Sequence, residues 1–218
     1  MVVLFDLDGV VLDTESQYTV LWNNIGKKYG DVGEIGRLSK GQTLTHILDT
    51  YFKGQTELQK HIIEELYEFE QNMSYAPIPG VMEFMKQLKA ASVPTAVVTS
   101  SNKAKMENVY RHYPDFKDIV GHVFTSESFT RSKPDPECFL MAMHALGGTP
   151  EDTVVFEDSV NGLKAARASG ATVVGLVTSN PREVVEPLSD YAINDFTSMS
   201  LDRLKEMLQV HCICGIIG

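Results

Sequence analysis

Short runs of apolar and β-branched residues recur along most of the chain, and most of the stretches between them carry the apolar spacing of helices. The runs are Val2–Phe5, Thr95–Val98, Val120–Phe124, Thr153–Phe156 and Ala171–Leu176. Strands that alternate with helices along a chain are typical of a parallel sheet covered by helices. The pattern therefore predicts the α/β fold class.

One long segment, residues 15–75, breaks this alternation because it contains no strand-like run. Its apolar residues recur at helical spacing, as at Tyr18 and Trp22. Thr56 begins a sequence with the spacing of a capping box, which predicts a helix start just after it. The segment 76–80, Ala-Pro-Ile-Pro-Gly, is a candidate hinge. We predict a helical insert that leaves the sheet after the first strand and can open and close over it.

Composition and charge narrow the class of partner. Hydrophobic residues make up 43% of the 218 residues and charged ones 22%, the balance of a globular protein. A formal charge of -10 disfavours nucleic acid and anionic membrane surfaces as partners. Three cysteines do not suggest a disulfide scaffold, and no signal-peptide pattern precedes the aspartate at position 6. We expect a cytoplasmic protein.

Two carboxylates, Asp6 and Asp8, stand directly behind the first apolar run. Side chains alternate along an extended chain, so both point to one side, at the sheet edge where α/β proteins bind ligands. Two ionised carboxylates about 4 Å apart repel by roughly 4 kcal/mol at an effective dielectric of 20. A cation between them is one interpretation. The alternative is that the pair only begins a turn.

Three further polar groups follow later predicted strands. Thr99 and Ser100 precede a helix, where they either cap it or help bind an anion such as phosphate. Lys133 stands before a proline that stiffens its backbone, although a single lysine is more often solvated surface. Glu157 and Asp158 are either acids favoured at a helix start or ligands for an oxygen-seeking ion such as Mg²⁺.

In this order, Asp6-x-Asp8-Gly9-Val10, Thr99, Lys133 and Glu157-Asp158 resemble the four motifs of the haloacid dehalogenase superfamily of phosphotransferases. The branch resembled has a small helical cap and includes β-phosphoglucomutase and many sugar-phosphate phosphatases. The resemblance implies a Rossmann-like three-layer core with a parallel sheet, at residues 1–14 and 80–218, and an inserted α-helical cap domain at residues 15–79. It also implies an enzyme with Mg²⁺ as cofactor, and we expect a monomer or a weak oligomer.

The resemblance also assigns roles to the motif residues. Asp6 is then the nucleophile that forms an aspartyl-phosphate, and Asp8 is the general acid and base. Mg²⁺ would be held by the carboxylates of Asp6 and Asp158 and the backbone carbonyl of Asp8, with Glu157 close by or acting through water. The oxygens of the transferring phosphoryl group would be bound by Thr99, the backbone N–H of Ser100, and Lys133. An aspartate at position 8 favours phosphate esters, because dehalogenase members lack it.

The cap sets the substrate in this branch. Lys40 is predicted to bind substrate, and Trp22 either faces the substrate or belongs to the core of the cap. Leu44 stands where the mutase has an arginine for its second phosphate, although Lys40 or Arg37 could replace that group. Tyr18 stands where the mutase has a histidine.

These observations predict a Mg²⁺-dependent phosphatase that acts on a small phosphorylated metabolite, a sugar or polyol phosphate. The first alternative is a phosphosugar isomerase of the β-phosphoglucomutase type. The second is a protein that binds a phosphorylated ligand without catalysis. The tail from His211, with Cys212 and Cys214, is expected to be a packed or frayed terminus rather than a metal site.

Overall fold

A six-stranded sheet forms the centre of the protein, and every neighbouring pair of its strands is parallel. The computed structural model describes residues 1–29 and 34–214, with side chains to residue 208. The strands are β1 Val2–Phe5, β2 Thr95–Val98, β3 His122–Phe124, β4 Thr153–Glu157, β5 Thr172–Leu176 and β6 Tyr191–Ile193. Their order across the sheet is β3-β2-β1-β4-β5-β6, which confirms the α/β fold class.

Helices cover both faces of the sheet. They are α1 Glu15–Tyr29, α2 Ile35–Leu38, α3 Leu44–Tyr51, α4 Thr56–Asn72, α5 Val81–Ala90, α6 Lys103–His112, α7 Phe116–Val120, α8 Glu137–Ala145, α9 Val160–Ala168, α10 Arg182–Val185 and α11 Leu201–Cys214. Side chains of β1 alternate between the two layers: Val3 and Phe5 pack in one apolar cluster, and Val2 and Leu4 in the other. The core is therefore three-layered, as the resemblance implied.

Two of the five predicted strands, β1 and β2, match the structure at both ends, and the other three differ at one end. The run from Val120 to Phe124 begins as the end of α7, and the chain turns at Gly121, with a φ of 80°, before β3 starts at His122. The edge strand β6 was not predicted, because three half-buried residues give no clear apolar run. The capping-box prediction at Thr56 is wrong: α4 already begins at Thr56, after Gln55, whose side chain makes no capping hydrogen bond.

Helices α1 to α4 form the predicted helical insert, with an apolar core of their own. That core includes the buried side chains of Trp22, Phe52 and Leu66. The two connections to the sheet lie side by side, since Asp13 N–H donates to Ala76 O at 2.8 Å and Ile78 N–H donates to Val11 O at 3.0 Å. We call α1 to α4 and their loops the cap; the domain bounds at residues 14 and 80 stay a prediction.

The C-terminal helix α11 continues past His211, where the tail was expected to begin, and reaches Cys214. The side chains of Cys212 and Cys214 and the last four residues lie outside the described part of the chain, so the expectation for the tail stays a prediction. Among the described residues, none of the helices has the length and apolarity needed to cross a membrane.

Candidate active site

The four predicted motifs meet at the carboxyl edge of the sheet, because β1 lies between β2 and β4. Asp6 follows β1, Thr99 follows β2, and Glu157 ends β4. A cavity lies between this edge and the cap. Its lining includes five residues of the core: Asp6, Asp8, Thr99, Ser100 and Asp158. The cavity is small, with a volume of about 80 Å³.

Lys133 lies beneath this cavity, between two carboxylates. Its side chain is fully buried, and Nζ donates to Asp6 Oδ1 at 2.6 Å and to Glu157 Oε1 at 2.7 Å. Burial alone would lower the pKa of Lys133, but the charges of Asp6 and Glu157 outweigh it and raise the pKa. Lys133 is therefore a fixed cation behind Asp6, and the reading as solvated surface is wrong.

Glu157 uses both carboxylate oxygens within the protein. Besides the bond from Lys133, Oε2 accepts from the backbone N–H groups of Asp158 at 2.7 Å and Ser159 at 2.8 Å, and from Ser159 Oγ at 3.1 Å. The first turn of α9 presses against it, since a Cβ on Gly162 would lie 1.7 Å from Oε1. Glu157 thus orients Lys133 and the loop that carries Asp158.

Asp158 presents one unused oxygen to the cavity. Its Oδ2 accepts from Ser179 Oγ, whereas its buried Oδ1 has no hydrogen-bond partner among the described residues. Oxygens of Asp6, Glu157 and Asp158 lie within 4.8 Å of one another. Burial raises the pKa of Asp158 well above its usual range, and the charges of Glu157 and Glu15 add to this. A carboxylate oxygen buried among other carboxylates without a donor fits a divalent cation.

Asp6 shares this environment. Burial raises its pKa to about 7, the Lys133 charge opposes that shift, and Glu157 and Asp8 add to it. A cation at the cluster would remove the repulsion that disfavours the ionised form of Asp6. The residues present therefore fit the predicted Mg²⁺, with Asp6 and Asp158 as its carboxylate ligands and Glu157 mainly occupied elsewhere.

Asp8 is held in place by three donors from the core. Oδ1 accepts from Thr14 Oγ1 and Lys105 Nζ, and Oδ2 accepts from Ser101 Oγ at 2.9 Å. Burial would raise the pKa of Asp8, but the Lys105 charge and these hydrogen bonds outweigh it and lower the pKa. The Asp8 side chain is thus engaged by the protein, and a metal contact of its backbone carbonyl stays a prediction.

The loop between α2 and α3 closes the cavity from the cap side. Ser100 Oγ donates to Gly41 O at 2.8 Å. Lys40 lines the cavity, but its ammonium donates to Ser179 O at 2.9 Å and lies 3.9 Å from Glu15. A substrate contact for Lys40 stays a prediction, and in this closed arrangement its charge joins cap to core. Trp22 lines the cavity and also packs in the core of the cap.

Sequence reasoning missed several residues of the site. Lys105, on α6, is 1% exposed, and its Nζ lies 4.3 Å from the centre of the Tyr18 ring. Tyr18 in turn donates to Glu70 Oε1 at 2.8 Å, and Glu70 lines the cavity. An available signal was the position of Lys105 among apolar residues of a helix that follows a motif. For Glu70 the signal was its position four residues after Leu66 and eight after Ile62, on the apolar face of α4.

Comparison with known proteins agrees with this geometry. The profile of the haloacid dehalogenase-like hydrolases matches residues 1–170, which is more than half of the chain. The chain belongs to this family. Its structure superposes on β-phosphoglucomutase of Clostridium difficile with a TM-score of 0.82 and 19% identity, over 97% of this chain and 98% of that one.

Relatives of known activity are phosphatases and a mutase. The chain is 28% identical to the validoxylamine A 7'-phosphate phosphatase of Streptomyces hygroscopicus subsp. limoneus, covering 91% of this chain and 95% of the relative. It is 26% identical to hexitol phosphatase A of Escherichia coli (79% and 81% covered) and 25% identical to β-phosphoglucomutase of Bacillus subtilis (94% and 93% covered). The chain is thus an enzyme of the phosphatase and phosphotransferase class, and the alternative of binding without catalysis is wrong.

Proposed function

We propose that this protein is a Mg²⁺-dependent phosphatase of small phosphorylated metabolites, and that its substrate is a sugar or polyol phosphate. The observation that carries the proposal is the arrangement of Asp6, which faces the cavity with Lys133 2.6 Å behind it and Asp158 beside it. Relatives that act on phosphorylated sugars and hexitols support the substrate class.

Asp6 is the nucleophile in this proposal. Its Oδ1 is fixed by Lys133, so its other oxygen can attack phosphorus in line and form an aspartyl-phosphate. When bound at Asp6 and Asp158, Mg²⁺ supplies positive charge that offsets the phosphoryl oxygens. Thr99 and the backbone N–H of Ser100 lie where the chain leaves β2 and give further donors for those oxygens.

Asp8 is the proton-transfer group. Thr14, Ser101 and Lys105 fix its orientation, and the lowered pKa keeps it ionised near neutral pH. An ionised carboxylate at this place can accept a proton from the water that hydrolyses the aspartyl-phosphate. The same group, once protonated, can donate to the leaving oxygen of the next substrate.

The chain lacks two groups of the mutase branch, since Tyr18 stands in place of its histidine and Leu44 in place of its arginine. Their absence favours transfer of the phosphoryl group to water. Leu44 replaces the arginine for a second phosphate, and Arg37, one of the two possible substitutes, pairs with Glu34 at 2.9 Å at the surface. Lys40, the other, is engaged by Ser179 and Glu15. The described lining of the cavity therefore offers no free cation for a second phosphate.

The test is phosphate release from a panel of sugar and polyol phosphates with Mg²⁺, by wild type and by Asp6→Asn. We expect the variant to lose at least about 10³-fold in kcat, because the asparagine cannot form the covalent intermediate. Asp13→Asn, at an exposed aspartate near the cap connection, is the matched control and should retain activity. Undiminished turnover by Asp6→Asn would refute the proposal.

A second assay separates the two reaction types. The protein is incubated with β-glucose 1-phosphate, Mg²⁺ and a bisphosphate primer. A phosphatase yields inorganic phosphate. Formation of glucose 6-phosphate without net phosphate release would instead establish the mutase activity.

A further inference from the structure

Two buried acceptor atoms on the cap side of the cavity have no hydrogen-bond partner among the described residues. Glu70 is 4% exposed, and its Oε1 accepts from Tyr18 Oη at 2.8 Å, but its Oε2 has no partner in the described part of the chain. Gln42 Oε1 is also buried and unpartnered among those residues. Both residues line the same cavity as Asp6 and Asp8. A buried polar atom left unpaired costs free energy, which a bound ligand can recover.

The protonation of Glu70 points to the kind of partner. Burial raises the pKa of Glu70, and the charge of Lys105 opposes that shift. A hydroxyl group can pair with Oε2 whether Glu70 is ionised or protonated, because the hydroxyl can donate to a carboxylate or accept from a carboxylic acid. The amide of Gln42 can likewise pair with a hydroxyl.

The remaining walls exclude a second anion. The apolar side chains of Trp22, Leu44, Ile47 and Leu66 line the cap side. Lys40 is the one ammonium group among the described lining residues, and Ser179 and Glu15 engage it. A second phosphate or a carboxylate on the leaving group would therefore be buried without a counter-charge, near the carboxyl groups of Glu15 and Glu70.

We infer that Glu70 and Gln42 are specificity-determining residues that bind hydroxyl groups of the leaving group, and that this leaving group carries no anionic group of its own. This inference rests on the proposed phosphatase function and narrows its substrate class. Bisphosphates and phosphorylated sugar acids are excluded by it. A linear or cyclic polyhydroxyl compound with a single phosphate fulfils it.

Three six-carbon monoesters test each part. Sorbitol 6-phosphate carries hydroxyls, 6-phosphogluconate replaces the terminal hydroxymethyl group by a carboxylate, and n-hexyl phosphate has no hydroxyls. For wild type we expect kcat/KM to be at least about tenfold higher for sorbitol 6-phosphate than for either other ester, the effect of one well-made hydrogen bond or one unpaired charge.

Variants assign the effect to residues. Glu70→Leu and Gln42→Ala should each lower the ratio of kcat/KM for sorbitol 6-phosphate over n-hexyl phosphate by about five- to tenfold, because each removes the group that pairs with a hydroxyl. Glu70→Gln, whose amide can still pair with a hydroxyl, should keep that ratio and raise the relative use of 6-phosphogluconate. Glu68→Gln, at an exposed acid of the same helix, is the matched control and should leave both ratios unchanged. Gln42 lies in a loop, so its variant does not depend on the folding of α4.

The failures are distinguishable. If the three esters and p-nitrophenyl phosphate all release no phosphate with Mg²⁺, the proposed function fails and this inference fails with it. If phosphate is released but wild type uses 6-phosphogluconate or n-hexyl phosphate as well as sorbitol 6-phosphate, the inference alone is overturned. The same holds if neither Glu70→Leu nor Gln42→Ala changes the ratio for sorbitol 6-phosphate over n-hexyl phosphate.

Discussion

Replacing Glu157 by glutamine tests whether this residue organises the site or binds the metal. The carboxylate accepts from Lys133 on one oxygen and from three donors of Asp158 and Ser159 on the other. Glutamine has one acceptor oxygen, so its NH₂ group must face either the Lys133 ammonium or the other three donors. One side of the network is lost in both orientations.

The size of the effect follows from the burial. Lys133 and Glu157 are both fully buried, and removal of one partner of a buried ion pair costs about 3–5 kcal/mol. For a chain of this size each kcal/mol lowers Tm by about 2–4 °C. We therefore expect Glu157→Gln to lower Tm by roughly 6–20 °C in metal-free protein. Thermal unfolding followed by circular dichroism in EDTA measures it.

The neighbouring carboxylate supplies the matched control. Asp158 Oδ1 has no partner among the described residues, and its pKa is raised by burial and by nearby carboxylates. Asp158→Asn should therefore leave Tm of the metal-free protein equal or higher, while abolishing the stabilisation that Mg²⁺ gives to wild type. If Glu157→Gln changes Tm in EDTA by less than about 2 °C and acts only by weakening Mg²⁺ binding, the structural role argued for Glu157 is refuted.

Three further predictions concern the same site. Gly162→Ala puts a methyl carbon 1.7 Å from Glu157 Oε1. The variant should therefore have a lower Tm and a lower kcat, although alanine favours helix more than glycine does. A variant as stable and active as wild type would contradict this close packing. Lys105→Met leaves Asp8 buried without its cation, so the free energy of unfolding measured in urea should fall by about 3–5 kcal/mol, and kcat should fall too. If both quantities were unchanged, the Lys105–Asp8 pair would have no role in stability or catalysis. Burial and the Asp8 charge raise the pKa of Glu15 to about 8, so in EDTA the folded state holds a proton that the unfolded state releases near pH 4.5. Titration of Glu15 should therefore lower the free energy of unfolding as pH rises from 5 to 8. Saturating Mg²⁺ should make this dependence of the unfolding free energy on pH less steep. Equal slopes with and without Mg²⁺ would contradict the prediction.

The sequence predicted the motif residues because their positions follow from strand ends. Asp6, Thr99 and Asp158 each follow a buried run, and strands that neighbour in a parallel sheet end at one edge. The bounds of β1 and β2 were predicted correctly, and a polar residue, Asp6 or Thr99, marks the end of each apolar run. The proximity of these groups can thus be predicted from the apolar runs and from the rule that neighbouring parallel strands end at the same edge of the sheet.

The sequence could not separate groups that face the substrate from groups that face other protein atoms. Glu157 and Asp158 are adjacent acids, and only their hydrogen bonds distinguish an organising residue from a residue with a free oxygen. Lys105 and Glu70 reach the site from the first turn of α6 and the last turn of α4. Helical spacing indicates that such side chains are buried, but their partners depend on how the cap packs against the core, which no local pattern encodes.

The central place of β1 has a consequence for the order in which a new chain becomes active. Asp6 directly follows β1, but Lys133, which contacts it, is 127 residues further along, and β4, on one side of β1, ends at Glu157. A nascent chain that has not yet been extended to Glu157 holds Asp6 and the whole cap without the groups that orient them. The site therefore forms only after synthesis has passed Glu157, and folding must wait for these distant contacts.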